Sequence, residues 1–154
     1  MYTGLVHLHN FLRWVVLVLL IVAIVRHLMG MTSRKTFTSG DKKADLLLMI
    51  STHIQLLVGL IIWFIGDWGY QIVKNSAGMG EVMKNSAMRF WVIEHPLGML
   101  VATALITVGR GVSKKLLPDA VKHKKIFWFF FIALIIIIAS VPWAGRTGIG
   151  RPLF

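Results

Sequence analysis

Four apolar blocks, near residues 11–25, 46–66, 90–109 and 126–143, are separated by stretches that carry most of the charge. Each block approaches the roughly 20 residues that a helix rising about 1.5 Å per residue needs to cross about 30 Å of hydrocarbon. A helix apolar all round belongs in lipid or in a large protein interior, and a chain of 154 residues cannot build the second. The apolar fraction of 56% and the mean hydropathy of +0.74 point the same way. The sequence therefore predicts an all-α protein: an integral membrane four-helix up-down bundle. One domain covers residues 1–154, with spans at about 4–29, 44–67, 90–110 and 124–143. No Pro/Gly/Ser-rich run divides the chain.

The distribution of charge sets an expected topology. The net charge is +11, but Arg26, Arg34, Lys35, Lys42 and Lys43 follow the first block. Arg110, Lys114, Lys115, Lys122, Lys124 and Lys125 flank the loop after the third. The positive-inside rule puts these two loops in the cytoplasm and both termini outside, N-out and C-out. Topology and contact with anionic lipid account for the excess, so nucleic acid is not an expected partner. The first block lacks a basic leader and a small-residue cleavage site, and His9, Asn10 and Arg13 interrupt its start. It is read as a span, not a cleavable signal. With no cysteine, disulfides, thiolate metal sites and Cys-x-x-Cys-His haem attachment are excluded.

The third block carries Glu94-His95-Pro96, an acid, an imidazole and a helix breaker in a segment otherwise fit for lipid. Ionisable groups in hydrocarbon cost about 2.5–3.5 kcal/mol on insertion scales and are kept for a reason. Pro96 lacks the N–H that would bond the Val92 carbonyl, so the helix either kinks there or starts near His95. The face of His95 continues through Gly98, Ala102 and Gly109, smooth enough for something flat or for another helix. Of the six histidines, His27 and His123 lie at basic ends and are read as solvated, and His7 faces water or headgroups. His9, His53 and His95 lie within spans and need partners there. At about 1.5 Å per residue, His95 and His9 lie roughly 7 and 9 Å outward of their block centres, and His53 roughly 6 Å inward. His9 and His95 are therefore the level pair, with His53 the substitute.

Neutral imidazoles on facing helices are the usual axial ligands of non-covalent haem b. Arg13, Arg89, Arg146 and Arg151 gather at the same end, where haem propionates would want cations. The competing reading pairs Glu94 with Arg13 or Arg89 and leaves His95 as polar glue between helices. Asp41 is the expected N-cap of the second span. The outer loop repeats Lys-Asn-Ser-Ala at 74–77 and 84–87, too short for a structural repeat. From Ile126 to Val141 the fourth span holds no polar group before Ser140 and suggests no chemical role. No phosphate loop, nucleophile–base pattern or His-Glu-x-x-His motif is present.

Leu8-His9-Asn10-Phe11-Leu12-Arg13-Trp14, His53-Ile54-Gln55-Leu56-Leu57-Val58-Gly59, Glu94-His95 with Met99, and the closing Arg151-Pro152-Leu153-Phe154 together resemble small four-span bacterial membrane proteins. Those proteins are labelled cytochrome b or cytochrome b-like. The resemblance implies haem b held by membrane histidines and electron transfer in the bacterial cytoplasmic (inner) membrane. His9, His95 and His53 are then the candidate metal ligands. Glu94 would orient an imidazole or carry protons, and Arg13, Arg89, Arg146 and Arg151 would pair propionates. Such a chain is an electron carrier more than a stand-alone enzyme, working between quinol and a redox partner, as a homo-oligomer or within a larger complex. The alternative is a haem-free accessory subunit of a larger membrane complex, with a small transporter third.

Overall fold

The computed structural model describes residues 2–150, and its regular structure is all helical, with no strand among the described residues. Four helices are long and apolar enough to cross a membrane. They are α1 (Tyr2–Thr32), α2 (Ser39–Ile65), α6 (His95–Val112) with the segment that precedes it, and α7 (Asp119–Ser140). Between α2 and α6 lie three short helices, α3 (Tyr70–Asn75), α4 (Met79–Lys84) and α5 (Ser86–Arg89). The two Lys-Asn-Ser-Ala copies fall at the ends of α3 and α4, where Asn85 accepts from the N–H groups of Ala87 and Met88 to start α5.

The start of α2 differs from expectation by one turn. Thr38 is the N-cap, and Asp41 closes a reciprocal capping box by accepting from the Thr38 N–H at 2.8 Å. Asp41 therefore has both jobs of an N3 carboxylate: it satisfies an otherwise orphaned donor and sits at the positive end of the helix dipole. It also holds Arg26 of α1 at 2.8 Å, which fixes the end of α1 against the start of α2.

The four long helices form a ring, α1 against α2 and α7, and α6 against α2 and α7. Each turns one narrow stripe inward. On α1 the stripe is Arg13, Val16, Leu17, Leu20, Ala23, Ile24, His27 and Gly30, the 3–4 spacing that keeps one face of a helix in register with its neighbours. On α7 it is His123, Ile126, Phe130, Ala133 and Ile137. The outward faces carry Val18, Ile21, Leu57, Phe64, Val108 and Ile135, all exposed, which suits lipid and nothing aqueous.

Small residues let the backbones close. A side chain at Gly109 would stand 2.7 Å from Cε1 of Phe130 and 3.1 Å from Cβ of Phe129. Both rings belong to α7, and Phe130 is fully buried. Gly109→Val is expected to cost about 1–3 kcal/mol by overpacking, read as an earlier unfolding transition in detergent. Gly111→Val, where a Cβ meets nothing within 4 Å, is the control.

Ahead of α6 the chain makes one π-helical turn, Phe90–Glu94. Pro96 explains it. A proline cannot donate to Val92 and its ring crowds that carbonyl, so the preceding turn widens and the His95 N–H reaches back to Phe90. The wider turn changes which way its residues face. His95 turns into the bundle, while Glu94 turns out.

Candidate functional site

Two polar centres lie inside the ring, one at each end. The first contains His9, Arg13, Gln55 and His95. His9 on α1 and His95 on α6 come from helices on opposite sides of the ring, and their ring centres are 6.4 Å apart, edge to face. Gly59 of α2 makes room for His9, whose Cε1 lies 2.9 Å from where a Cβ would be. Arg13, one turn below His9, is also buried.

Hydrogen bonding fixes both imidazoles. His95 donates from Nδ1 to the Ser140 carbonyl at 2.7 Å, which leaves Nε2 as its lone-pair nitrogen. The Gln55 amide nitrogen donates to the His9 carbonyl at 3.0 Å and faces His9 Nε2 at 3.3 Å, so Nε2 is the acceptor there too. His9 Nδ1 is buried with no hydrogen bond among the described residues. Ser140 is available because it ends α7, where the last carbonyls lack intrahelical donors. Its neighbours are met in the same way: Trp143 Nε1 bonds the Ile138 carbonyl, and Arg146 bonds those of Ala139 and Val141. Arg146 also lies 4.9 Å over the Phe90 ring, which packs 6.0 Å from His95.

The remaining candidates lie elsewhere. Glu94, expected to be the buried acid, has a side chain 46% exposed and pairs with Arg89 at 2.6 Å. It touches neither imidazole, because the π turn rotates it away from His95. His53 is exposed and bonds the Met49 carbonyl of its own helix at 2.8 Å. Arg151 lies outside the described residues.

The second centre overturns the sequence reading. His27 and His123, expected in solvent, are 0% and 1% exposed. Their Nδ1 atoms are 2.9 Å apart, and His27 Nε2 lies 2.9 Å from Oδ1 of Asp45. Asp45 is itself 0% exposed and Asp41 5%, so the buried carboxylates of this bundle lie on α2, and Glu94 is not one of them. Phe37 stacks on His27 at 5.9 Å and leans on His123 at 5.1 Å. Gly30 admits the His123 ring, which would overlap any side chain there. A cavity of about 390 Å³ adjoins His123, with Arg26, Lys35, Thr36 and Asp41 in its wall.

The signal for this centre was phase. His27 and His123 continue the inward 3–4 stripes of their helices, and Asp45 lies one turn after Asp41 and one before Leu48 on the buried face of α2. Nearness to basic loops hid them. Among the described residues no group of three or more His, Asp or Glu is arranged to hold a metal ion. Comparisons with protein-family models, with curated proteins and with solved structures find no match.

Proposed function

We propose that the chain is a small electron-transfer protein of a bacterial cytoplasmic membrane, its helices forming an up-down bundle with both termini outside. In this reading His9 and His95 would hold a haem b. The observation that carries it is the pair itself. The two imidazoles come from different helices, and their ring centres are 6.4 Å apart, close enough for both to reach one metal ion. Both present Nε2 as the lone-pair nitrogen, the state in which an imidazole ligates. Haem b, when bound, supplies a reversible one-electron change at iron.

The residues around the pair have supporting parts. The Ser140 carbonyl orients His95 from the far side of the ring, as an outer partner of a ligating histidine does. Gln55 shields His9 Nε2 until a ligand replaces it. Arg13 and Arg146 supply cations for propionates at this end, and His53 has no part in ligation. The basic loops lie at the opposite end, which supports the N-out, C-out orientation. Room for a macrocycle is the demanding condition, since His9 fills the space at Gly59 and Ser140 fills that at Gly98. To admit it, α2 must part from α1 and α7 from α6.

That close packing favours a second reading, a haem-free accessory subunit in which His95 bonds Ser140 simply to join α6 to α7. One measurement separates the two. Detergent-purified protein supplied with haem is expected to show Soret and alpha bands that sharpen on reduction. His9→Ala and His95→Ala should each abolish them, while His53→Ala leaves them unchanged. Absent bands, or bands indifferent to His95→Ala, overturn the haem reading. A large partner co-purifying without a chromophore selects the accessory subunit.

A further inference from the structure

At the basic end the chain leaves α1 by a turn that is costly for its sequence. The Lys35 N–H bonds back to the Gly30 carbonyl at 3.1 Å, and Arg34, just before it, has a φ of 48°. This is the Schellman ending of a helix, with an arginine in the left-handed position that glycine usually takes. One residue further on, the Thr36 backbone bonds the His123 ring of α7. The loop is thus pinned to two helices, and Lys35 and Thr36 join Arg26, Met29 and Asp41 in the wall of the 390 Å³ cavity.

The polar part of that wall suits an anion. Asp41 is taken up by Arg26, from Nε at 3.0 Å and Nη2 at 2.8 Å, and by the Thr38 N–H at 2.8 Å. Arg26 Nη1 and the Lys35 ammonium have no carboxylate partner among the described residues. Two cations against one carboxylate leave one net positive charge, the complement of a single phosphodiester, and the Thr36 hydroxyl can add a donor. Lys122 of α7, 5.4 Å over the Phe37 ring, brings a further cation beside the loop.

The rest of the surroundings suits hydrocarbon. Met29 lies in the cavity wall and is 46% exposed. It begins a stripe on the outward face of α1 that continues through Val25, Val22 and Val18, all exposed and spaced by four, three and four residues. A free anion gains nothing from that stripe, whereas acyl chains do. We propose that the cavity seats the phosphodiester of one anionic phospholipid. Arg26, Lys35 and Thr36 hold the headgroup, and the chains lie along Met29, Val25, Val22 and Val18. Basic pockets at the headgroup level between membrane helices take such lipids by this combination. The site is independent of whatever His9 and His95 hold at the other end.

Native mass spectrometry of the full chain in neutral detergent tests it, with phosphatidylglycerol, zwitterionic phosphatidylcholine or inorganic phosphate added. One phosphatidylglycerol per chain is expected to stay bound under conditions that strip phosphatidylcholine. Lys35→Glu should weaken that binding by roughly 30-fold, the effect of two unit charges near a membrane surface. Lys114→Glu makes the same change of net charge at an exposed position in the loop after α6, and should leave binding near the wild-type value. Equal retention of the two lipids, or an equal loss in the two variants, overturns the site, because the overall charge of the surface then accounts for binding. Inorganic phosphate that binds as tightly as phosphatidylglycerol overturns the lipid as its occupant. The lipid comparison is made on the unaltered chain and does not depend on either variant folding.

Discussion

Asp45→Ala is expected to destabilise the folded protein by about 1–3 kcal/mol, because it leaves the buried His27 N–H without its acceptor. Asp45 is completely buried, and its Oδ1 is the acceptor for His27 Nε2 at 2.9 Å. Without it the His27 N–H faces apolar surroundings, with Phe37 stacked on one side and Phe130 edge-on at 5.8 Å. Neither ring can accept the lost bond well, and water has no direct path to a side chain 0% exposed. Removing His27 and its partner His123 as well should recover most of the loss, since replacing every member of a buried polar cluster is far cheaper than removing one. The triple variant Asp45→Ala with His27→Leu and His123→Leu is therefore expected to be more stable than Asp45→Ala alone. Unfolding in mixed micelles of rising SDS fraction measures all three. A loss in Asp45→Ala no larger than in Asp67→Ala, at an exposed site, would show that the pair contributes nothing.

The existence of four long helices was legible because block length and hydropathy are decided within each segment, before any tertiary contact. The loops between them were legible from charge for the same reason. What escaped was rotation about the helix axis. Glu94 and His95 are adjacent, and nothing in their local composition says which one faces inward. The answer depends on the π turn that Pro96 forces on residues 90–94. A kink at Pro96 was foreseeable from its missing N–H. The extra residue per turn, and its consequence for Glu94, needed the helix to be built.

His27, His123 and Asp45 escaped for a related reason. Each lies at the edge of an apolar block, where a count of apolar residues stops and a polar side chain is assumed to meet water. The inward stripe ignores that edge and runs on to Gly30 in α1. Two such stripes and the buried face of α2 meet just where the blocks end. The level pairing of His9 with His95, by contrast, followed from depth alone, because each lies at a similar distance from the middle of its own apolar block.

The small face beside His95 left two occupants open, a flat cofactor or a helix, and in the structure the occupant is a helix. A side chain at Gly98 would overlap Ser140 Oγ and stand 2.9 Å from Ser140 Cβ, with Ile136 at 3.7 Å. Moving only one partner should therefore fail where exchanging them succeeds. Gly98→Ser is expected to cost about 3 kcal/mol, the upper part of the usual overpacking range, and to strain the bond from His95 Nδ1 to the Ser140 carbonyl. Gly98→Ser combined with Ser140→Gly keeps the total volume and moves the small residue to the other helix. It should recover most of the stability, less the cost of a glycine in the last turn of α7, about 0.5–1 kcal/mol. Thermal unfolding of the two variants gives the stability, and the His95 ring signal reports whether its bond survives. If Gly98→Ser is tolerated as well as the wild-type residue, α6 and α7 are not in contact here. The gap left between them would then be the space that a macrocycle needs.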